Sequence, residues 1–291
     1  MELNSEIITT PVRAAATVVM LRDAPQGLEV FLIKRHGLSD VLGGAYVFPG
    51  GKVDALDAAA ETQAHLDQTP QALHASLGEP TLDAPTAASL YVAALRESFE
   101  ESGVLFAQSA SAAQVAQARA LLAEGLSFAA VLARLGLRLQ THSVTPWVRW
   151  ITPTMPSVSS KRFDTRFFVS AVPPDQTASH DNHEATDSVW ISPRAALLQY
   201  RDAQIMLAPP QIMSLAHLSR HSTVASVLAE AKSRLPPLVQ PEPFDQDGVR
   251  VLCYPGDERH SVRARALPGP SRLHFRNKRF EPIDGFESLF D

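Results

Sequence analysis

The sequence predicts an α/β fold in which a mixed β-sheet is sandwiched between helices, and three observations carry that prediction. Near the N-terminus, "AAATVVML" and "LEVFLIKR" are rich in β-branched and apolar residues and enclose the turn-like "RDAPQG", so residues 14–34 form a hairpin. An Ala- and Leu-rich patch then runs from Thr86 to about residue 136 with helical character, after which strands return. The elements do not alternate as βαβ units, and no G-x-G-x-x-G follows a strand and no G-x-x-x-x-G-K-[ST] occurs, so a doubly wound nucleotide fold is disfavoured.

The elements follow in order. Residues 37–51 hold five glycines and a proline and read as a loop shaped by backbone constraints. The stretch 58–86 is interrupted by Pro70, Pro80 and Pro85 and can form only short helices. A helix over 86–102 ends at Gly103, the residue a helix C-cap prefers. Residues 108–136 form one or two helices jointed at "EGLSF". "PWVRWITP" and "RFDTRFFVSAV" are strands, and "SVWI" is a third after the acidic, histidine-bearing loop "SHDNHEATD". Helices are expected at 193–201, 209–220 and 223–234. After "LPPLVQPEPF" the tail carries short alternating runs, "VRVLCY", "SVRARAL" and "SRLHFR", that read as strands. The expected organisation is one main domain over 1–235, with insertions at about 58–88 and 108–140, and a β-rich C-terminal extension over 236–291.

Composition bounds the function. A chain of 291 residues that is 45% hydrophobic buries one large core or two modest ones. With 20% charged residues and a net charge of -5, it is not a general nucleic-acid binder. A single cysteine, Cys253, excludes an internal disulfide and any cysteine-based zinc site, and reads as a small core residue. No apolar run is long enough to span a bilayer, and neither end resembles a targeting signal, so the expected location is the cytoplasm.

The chemistry concentrates in "ALRESFEESGV", residues 94–104. Glu97, Glu100 and Glu101 stand at i, i+3 and i+4 and leave a helix from one face. Short glutamate clusters are often only solvated. Here Ala93, Ala94, Phe99 and Val104 give the helix an apolar side to bury, and Arg96 alone cannot neutralise three carboxylates. Clustered hard oxygen ligands on a rigid element suit Mg²⁺.

This segment resembles the second half of a Nudix box, G-x5-E-x7-R-E-U-x-E-E-x-G-U with U apolar. Arg96, Glu97, Glu100, Glu101, Gly103 and Val104 match in order and spacing, with Ser98 at an apolar position. "VFPGGKVDALD" supplies the first half: five residues after Gly51 comes Asp57, where the family has Glu. An uninterrupted box would place its arginine at His65; the arginine appears at 96, so the box carries an insertion of roughly 30 residues, a length whose closure cost grows only logarithmically. The resemblance implies a Nudix fold with helical insertions. It is nearest the interrupted-box coenzyme A diphosphatases, of peroxisomal type and their bacterial relatives, whose glycine-loop pattern is kept at Arg35, Gly44 and Phe48-Pro49-Gly50-Gly51. His36 and Asp40 depart from that pattern.

The resemblance implies a metal-dependent pyrophosphohydrolase of coenzyme A or acyl-CoA, releasing 3′,5′-ADP and a phosphopantetheine. The metal, Mg²⁺ or Mn²⁺, would be held by Glu97, Glu100 and Glu101. Arg96 would orient a carboxylate, and Arg35, Gly50 and Gly51 would meet substrate. A further acid is expected from the loop before "SVWI", with Glu184 the choice and His180 and His183 its competitors. Two alternatives stay open: a Nudix hydrolase of NADH, ADP-ribose or a nucleotide sugar, and a non-catalytic nucleotide-binding module. A homodimer is expected by analogy with the family. Trp147 and Trp150 are read as core or pocket wall, with base stacking the alternative. The tail 259–279, with seven Arg/Lys and no acid, is either a solvated or partner face or a contact for the phosphates of the substrate.

Overall fold

The computed structural model describes residue 3 and residues 6–39, 42–155, 161–181 and 185–291. Along the chain lie β1 (Arg13–Ala24), β2 (Gly27–Arg35), β3 (Tyr46–Val47) and β4 (Gly50–Lys52). The helices α1 (Ala60–Gln63), α2 (Pro70–Leu77), α3 (Ala84–Ser102), α4 (Ala112–Ala123) and α5 (Phe128–Leu135) follow. Then come β5 (Thr145–Ile151), β6 (Phe163–Ala171), β7 (Ala185–Ile191), α6 (Pro193–Arg201), α7 (Pro209–Leu218) and α8 (Val224–Ser233). The chain ends in β8 (Leu238–Val239), β9 (Glu242–Gln246), β10 (Val249–Cys253), β11 (Arg272–Arg276) and β12 (Arg279–Pro282).

The main sheet is mixed, as expected. β1 runs parallel to β6 from Arg13↔Phe163 to Leu21↔Ala171, while β2 is antiparallel to β1 and β5 antiparallel to β6. The β1–β2 hairpin pairs only near its turn, from Leu21↔Val30 to Ala24↔Gly27. Beyond that the two strands diverge, and the freed edges are filled by β4 on β1 and by β3 on β2. Residues 37–51, read as loop alone, therefore contain two short strands. They form because splayed strands leave backbone donors and acceptors that must be met. β7 covers the other edge of β2, and β8 runs parallel to the outer edge of β5.

Alternation along β1 divides the interior into two cores. Ala16, Val18 and Met20 face one side with Phe31 and Ile33 of β2, against α2, α3 and α5. Val19 and Leu21 face the other with Val30 and Leu32, against α6, α7 and α8. Strands buried on both faces read as continuous apolar runs, and "ATVVML" and "VFLI" do. The second sheet, in the order β12-β11-β10-β9, packs Leu252, Leu273 and Phe280 into this second core. Trp147 and Trp150 are core residues, at 0% and 4% exposure. Cys253 is buried too, and burial pushes its thiol up to about 11.

One tail expectation fails. Residues 261–267, "SVRARAL", are not a strand. Alternation there meets no ladder partner, and the Arg265 guanidinium donates instead to the carbonyls of Leu267 and Gly269. The basic tail is also less free than its composition indicates, because Arg272 grips Asp257 through two nitrogens and Arg279 pairs with Glu281.

The residues after Asp57 pack on the helix that carries the glutamates. Leu66, Leu73 and Leu77 from the first insertion and Phe128, Val131 and Leu132 from the second cover α3, whose residues Ala87–Leu95 are buried all round. The two insertions are tied together where Arg138 Nη2 donates to Leu66 O at 2.7 Å and Leu139 N donates to His65 O at 2.8 Å. Glu79, after α2, joins the first insertion to the sheet. It receives Arg166 Nε at 2.9 Å and lies 2.7 Å from Arg149 Nη1, and both arginines also bond Asp164. Removing Glu79 from so buried a set leaves two guanidinium groups to share the single carboxylate of Asp164. Glu79→Ala is expected to cost about 3–5 kcal/mol in a urea unfolding titration, with Glu79→Gln costing less.

Candidate active site

The functional helix is built by its ends. α3 starts with Asp83, whose side chain accepts from Thr86 N, and with Pro85 in the first turn. It stops at Gly103, which takes a left-handed conformation (φ 68°) and returns its N–H to Phe99 O. The loop before β7 docks on this end through Ser179 N, which donates to Ser102 O at 3.0 Å. The apolar residues Ala93, Ala94, Phe99 and Val104 are all buried, which fixes the rotation of the helix and sends Glu97, Glu100 and Glu101 toward the glycine loop.

That loop lies directly against the helix. Gly50 N donates to Glu101 Oε2 at 2.7 Å. A Cβ at Gly50 would fall 2.4 Å from Ala16 O of β1, so that position admits only glycine, and one at Gly51 would fall 2.4 Å from Glu97 Oε1, so a side chain there would displace the Glu97 carboxylate. The backbone is squeezed between β1 and the carboxylates.

Arg96 links the two halves of the interrupted motif. Its Nε and Nη2 donate to Asp57 Oδ1 and Oδ2 at 2.8 and 2.9 Å, a bidentate pair with Asp57 at 1% exposure. Nη1 donates to Glu97 Oε1 and Glu100 Oε2, both at 2.9 Å, and Nη2 also reaches Lys52 O at 3.1 Å. Asp57 is presented by a short 3₁₀ turn, Ala55–Ala58, and its Oδ2 also accepts from Asp54 N at 2.8 Å. The shortened side chain at 57 thus reaches the arginine and is buried there.

The carboxylates differ in exposure. Glu101 is 3% exposed, while the Glu100 side chain keeps 39% of its surface. Burial raises the Glu100 pKa above the usual glutamate value; Arg96 opposes this, and the charges of Asp57 and Asp54 add to it. Ser98, at the position where the motif has an apolar residue, is fully buried, and its Oγ has no hydrogen-bond partner among the described residues.

Of the site residues expected from sequence, Gly50, Gly51, Arg96, Glu97, Glu100 and Glu101 converge. Arg35 stands at the far end of the glycine loop, half-buried at the end of β2, with its backbone bonded to Gly44 and Ala45. Glu184, His183 and Asp40 lie outside the described residues. His180 places Nδ1 2.9 Å from Ser188 Oγ. Sequence reasoning left Asp57 without a role. The available signal was that an arginine at the head of the glutamate triad needs a buried acid, and position 57 is the motif's own acidic position.

This geometry can be set beside known proteins. The family model described as the NUDT19 Nudix domain matches residues 8–218. The chain belongs to the Nudix hydrolases. The acyl-coenzyme A diphosphatase NUDT19 of Xenopus laevis is 26% identical over 272 residues, covering 79% of this chain and 70% of the relative. That of Gallus gallus is 27% identical over 266 residues, covering 73% and 69%. Among solved structures, a NUDIX hydrolase from Alicyclobacillus acidocaldarius superposes with a TM-score of 0.60 at 27% identity, over 78% of this chain and 98% of its own. The glycine loop and the glutamate helix, separated along the chain, meet in space.

Two stability outcomes follow. Asp57→Ala leaves the Arg96 guanidinium buried without its main partner and should cost about 3–5 kcal/mol by urea unfolding. Ser98→Ala removes a buried unsatisfied hydroxyl and should raise stability by about 1 kcal/mol in the same measurement.

Proposed function

We propose that this Nudix hydrolase cleaves the diphosphate of coenzyme A or an acyl-CoA in a reaction that depends on a divalent metal, giving 3′,5′-ADP and the (acyl)phosphopantetheine. The observation that carries the reading is the reunited box: a glycine loop pressed on Glu97 and Glu101, with Arg96 closing it onto Asp57. The choice of substrate draws on the relatives named acyl-coenzyme A diphosphatase and on the glycine-loop pattern from Arg35 to Gly51.

The donor set fits a hard cation. Asp54, Asp57, Glu97 and Glu100 all lie within ion-pair distance of the one Arg96 guanidinium, so negative charge is in excess at the half-exposed Glu100. Glu97, Glu100 and Glu101 are the residues that would hold Mg²⁺ or Mn²⁺. Such an ion, when bound, neutralises diphosphate oxygens and lowers the pKa of a water.

The protein's own groups supply position. Arg96 is a positioning residue: it fixes the rotamers of Glu97 and Glu100 from behind. Gly50 and Gly51 let the loop backbone press against β1 and the Glu97 carboxylate, and are assigned to the substrate face of the loop. Arg35 is assigned to a substrate phosphate, and Glu184 to the proton of the attacking water. In the reaction the water oxygen bonds to one phosphorus, the bridging P–O bond breaks, and the released phosphate carries away the electron pair.

The deciding experiment incubates purified protein with Mg²⁺ or Mn²⁺ against CoA, acyl-CoAs, NADH and ADP-ribose. Cleavage of CoA or acyl-CoA is expected, abolished by chelator and reduced at least about 100-fold in Glu100→Gln. Gly51→Ala, which drives a methyl into the Glu97 carboxylate, should also lower kcat by about 100-fold with the chain still folded. Turnover of NADH or ADP-ribose alone would refute the substrate, and no turnover of any would refute the catalytic reading.

A further inference from the structure

On the face of the main sheet opposite α3, the end of α7 and the helix α8 gather a second set of metal-ligating groups. His217 lies in the last turn of α7 and His221 four residues later, and both rings turn toward Glu230 of α8. His217 Nε2 is 2.9 Å from Glu230 Oε1, and His221 Nε2 is 3.0 Å from Glu230 Oε2. Each residue offers one ligand atom, and these atoms lie within 4.8 Å of one another.

We propose that His217, His221 and Glu230 form a site for a divalent transition-metal ion of the zinc type, separate from the phosphate-chemistry site. Two imidazoles and one carboxylate are a borderline nitrogen–oxygen set, unlike the all-oxygen set on α3. The orientation of His221 agrees with ligation. Ser226 Oγ donates to Thr223 O at 2.8 Å, so at 3.0 Å from His221 Nδ1 it acts as the acceptor of that ring's N–H. A ring that donates from Nδ1 leaves Nε2 as its ligand atom, 3.0 Å from a carboxylate oxygen, and either a proton or a metal ion can lie between the two. The Ser226 contact is the kind of outer hydrogen bond that fixes the tautomer of a ligating histidine.

The surroundings leave room for it. A cavity of about 970 Å³, lined by His217, Glu230, Arg234, Arg265 and Asp284, opens beside the cluster and offers an entry path and a fourth ligand position for water. Arg234 competes for the carboxylate, with Nε 3.0 Å from Glu230 Oε1. It is independently held by Trp147 O at 3.0 Å and by the Trp147 ring at 4.6 Å, so an ion can share the oxygen through its other lone pair. A bound ion would tie α7 to α8 and sit next to Trp147, whose ring lies 4.5 Å from that of His217.

The test uses the full chain carrying Glu97→Gln and Glu100→Gln, stripped with chelator and titrated with Zn²⁺ and with Co²⁺. One equivalent of Zn²⁺ should stay bound through gel filtration, Co²⁺ should give the visible absorption of a low-coordinate nitrogen–oxygen site, and Zn²⁺ should raise Tm. The unmodified chain titrated in excess Mg²⁺ should give the same count. His221→Ala and Glu230→Gln, each checked for folding by circular dichroism, should weaken binding at least about 100-fold and abolish the Co²⁺ band. No retained equivalent in the chain with His217, His221 and Glu230 intact would overturn the proposal. Binding that both variants leave within about twofold of the parent would overturn it as well.

Discussion

The guanidinium of Arg96 is the contact on which the site depends. It binds an aspartate 39 residues earlier in the chain, two glutamates of its own helix and the carbonyl of Lys52. Burial works against its charge, yet the hydrogen bonds to Asp57 and the charges of Glu97, Asp57 and Glu100 push its pKa above the ordinary arginine value. A planar fork with five donors can serve these acceptors at once, which the point charge of a lysine cannot. Because dehydrating both partners offsets much of the attraction, the pair contributes less to net stability than to register. It determines which stretch of loop faces which turn of helix.

The insertions make that register affordable to a chain with an interrupted motif. They bury the N-terminal half of α3, so the helix is held by packing along its length, and of its three glutamates only Glu100 is exposed. The Glu79, Arg149, Arg166 and Asp164 network repeats the same logic at the sheet, where charges from one insertion and two strands neutralise one another away from water. Polar contacts select one arrangement, and apolar contacts on both sides of the sheet supply the driving force.

Much of this was legible in the sequence because the signals are local. Gly103 ends α3 where a left-handed residue is needed, and Pro193 opens α6 at its first helical position. The strands β1, β2, β5 and β6 announced themselves as apolar or alternating runs. What was hidden depends on partners far away. β3 and β4 have two and three residues and no periodicity to read, and exist because β1 and β2 diverge. The alternation of residues 261–267 looked like a strand but had no ladder to join. Asp57 was visible as a motif position, while its bidentate hold on Arg96 required knowing how the first insertion folds. The spacing of His217 and His221 is a local signal, but Glu230 arrives from another helix.

The parallel pairing of β1 with β6 sets an order of events. Arg13 meets Phe163 and Leu21 meets Ala171, so the central strand of the sheet has no partner on that edge until 150 further residues exist. During synthesis the hairpin and the α3–α5 cluster can form from nearby contacts, while this long-range ladder has to wait. The glycine loop hangs from β1 through β4, and the strand that carries it is paired on both edges only once β6 exists. A nascent chain holding only the first half of the sequence would carry the whole glutamate motif on an incomplete sheet.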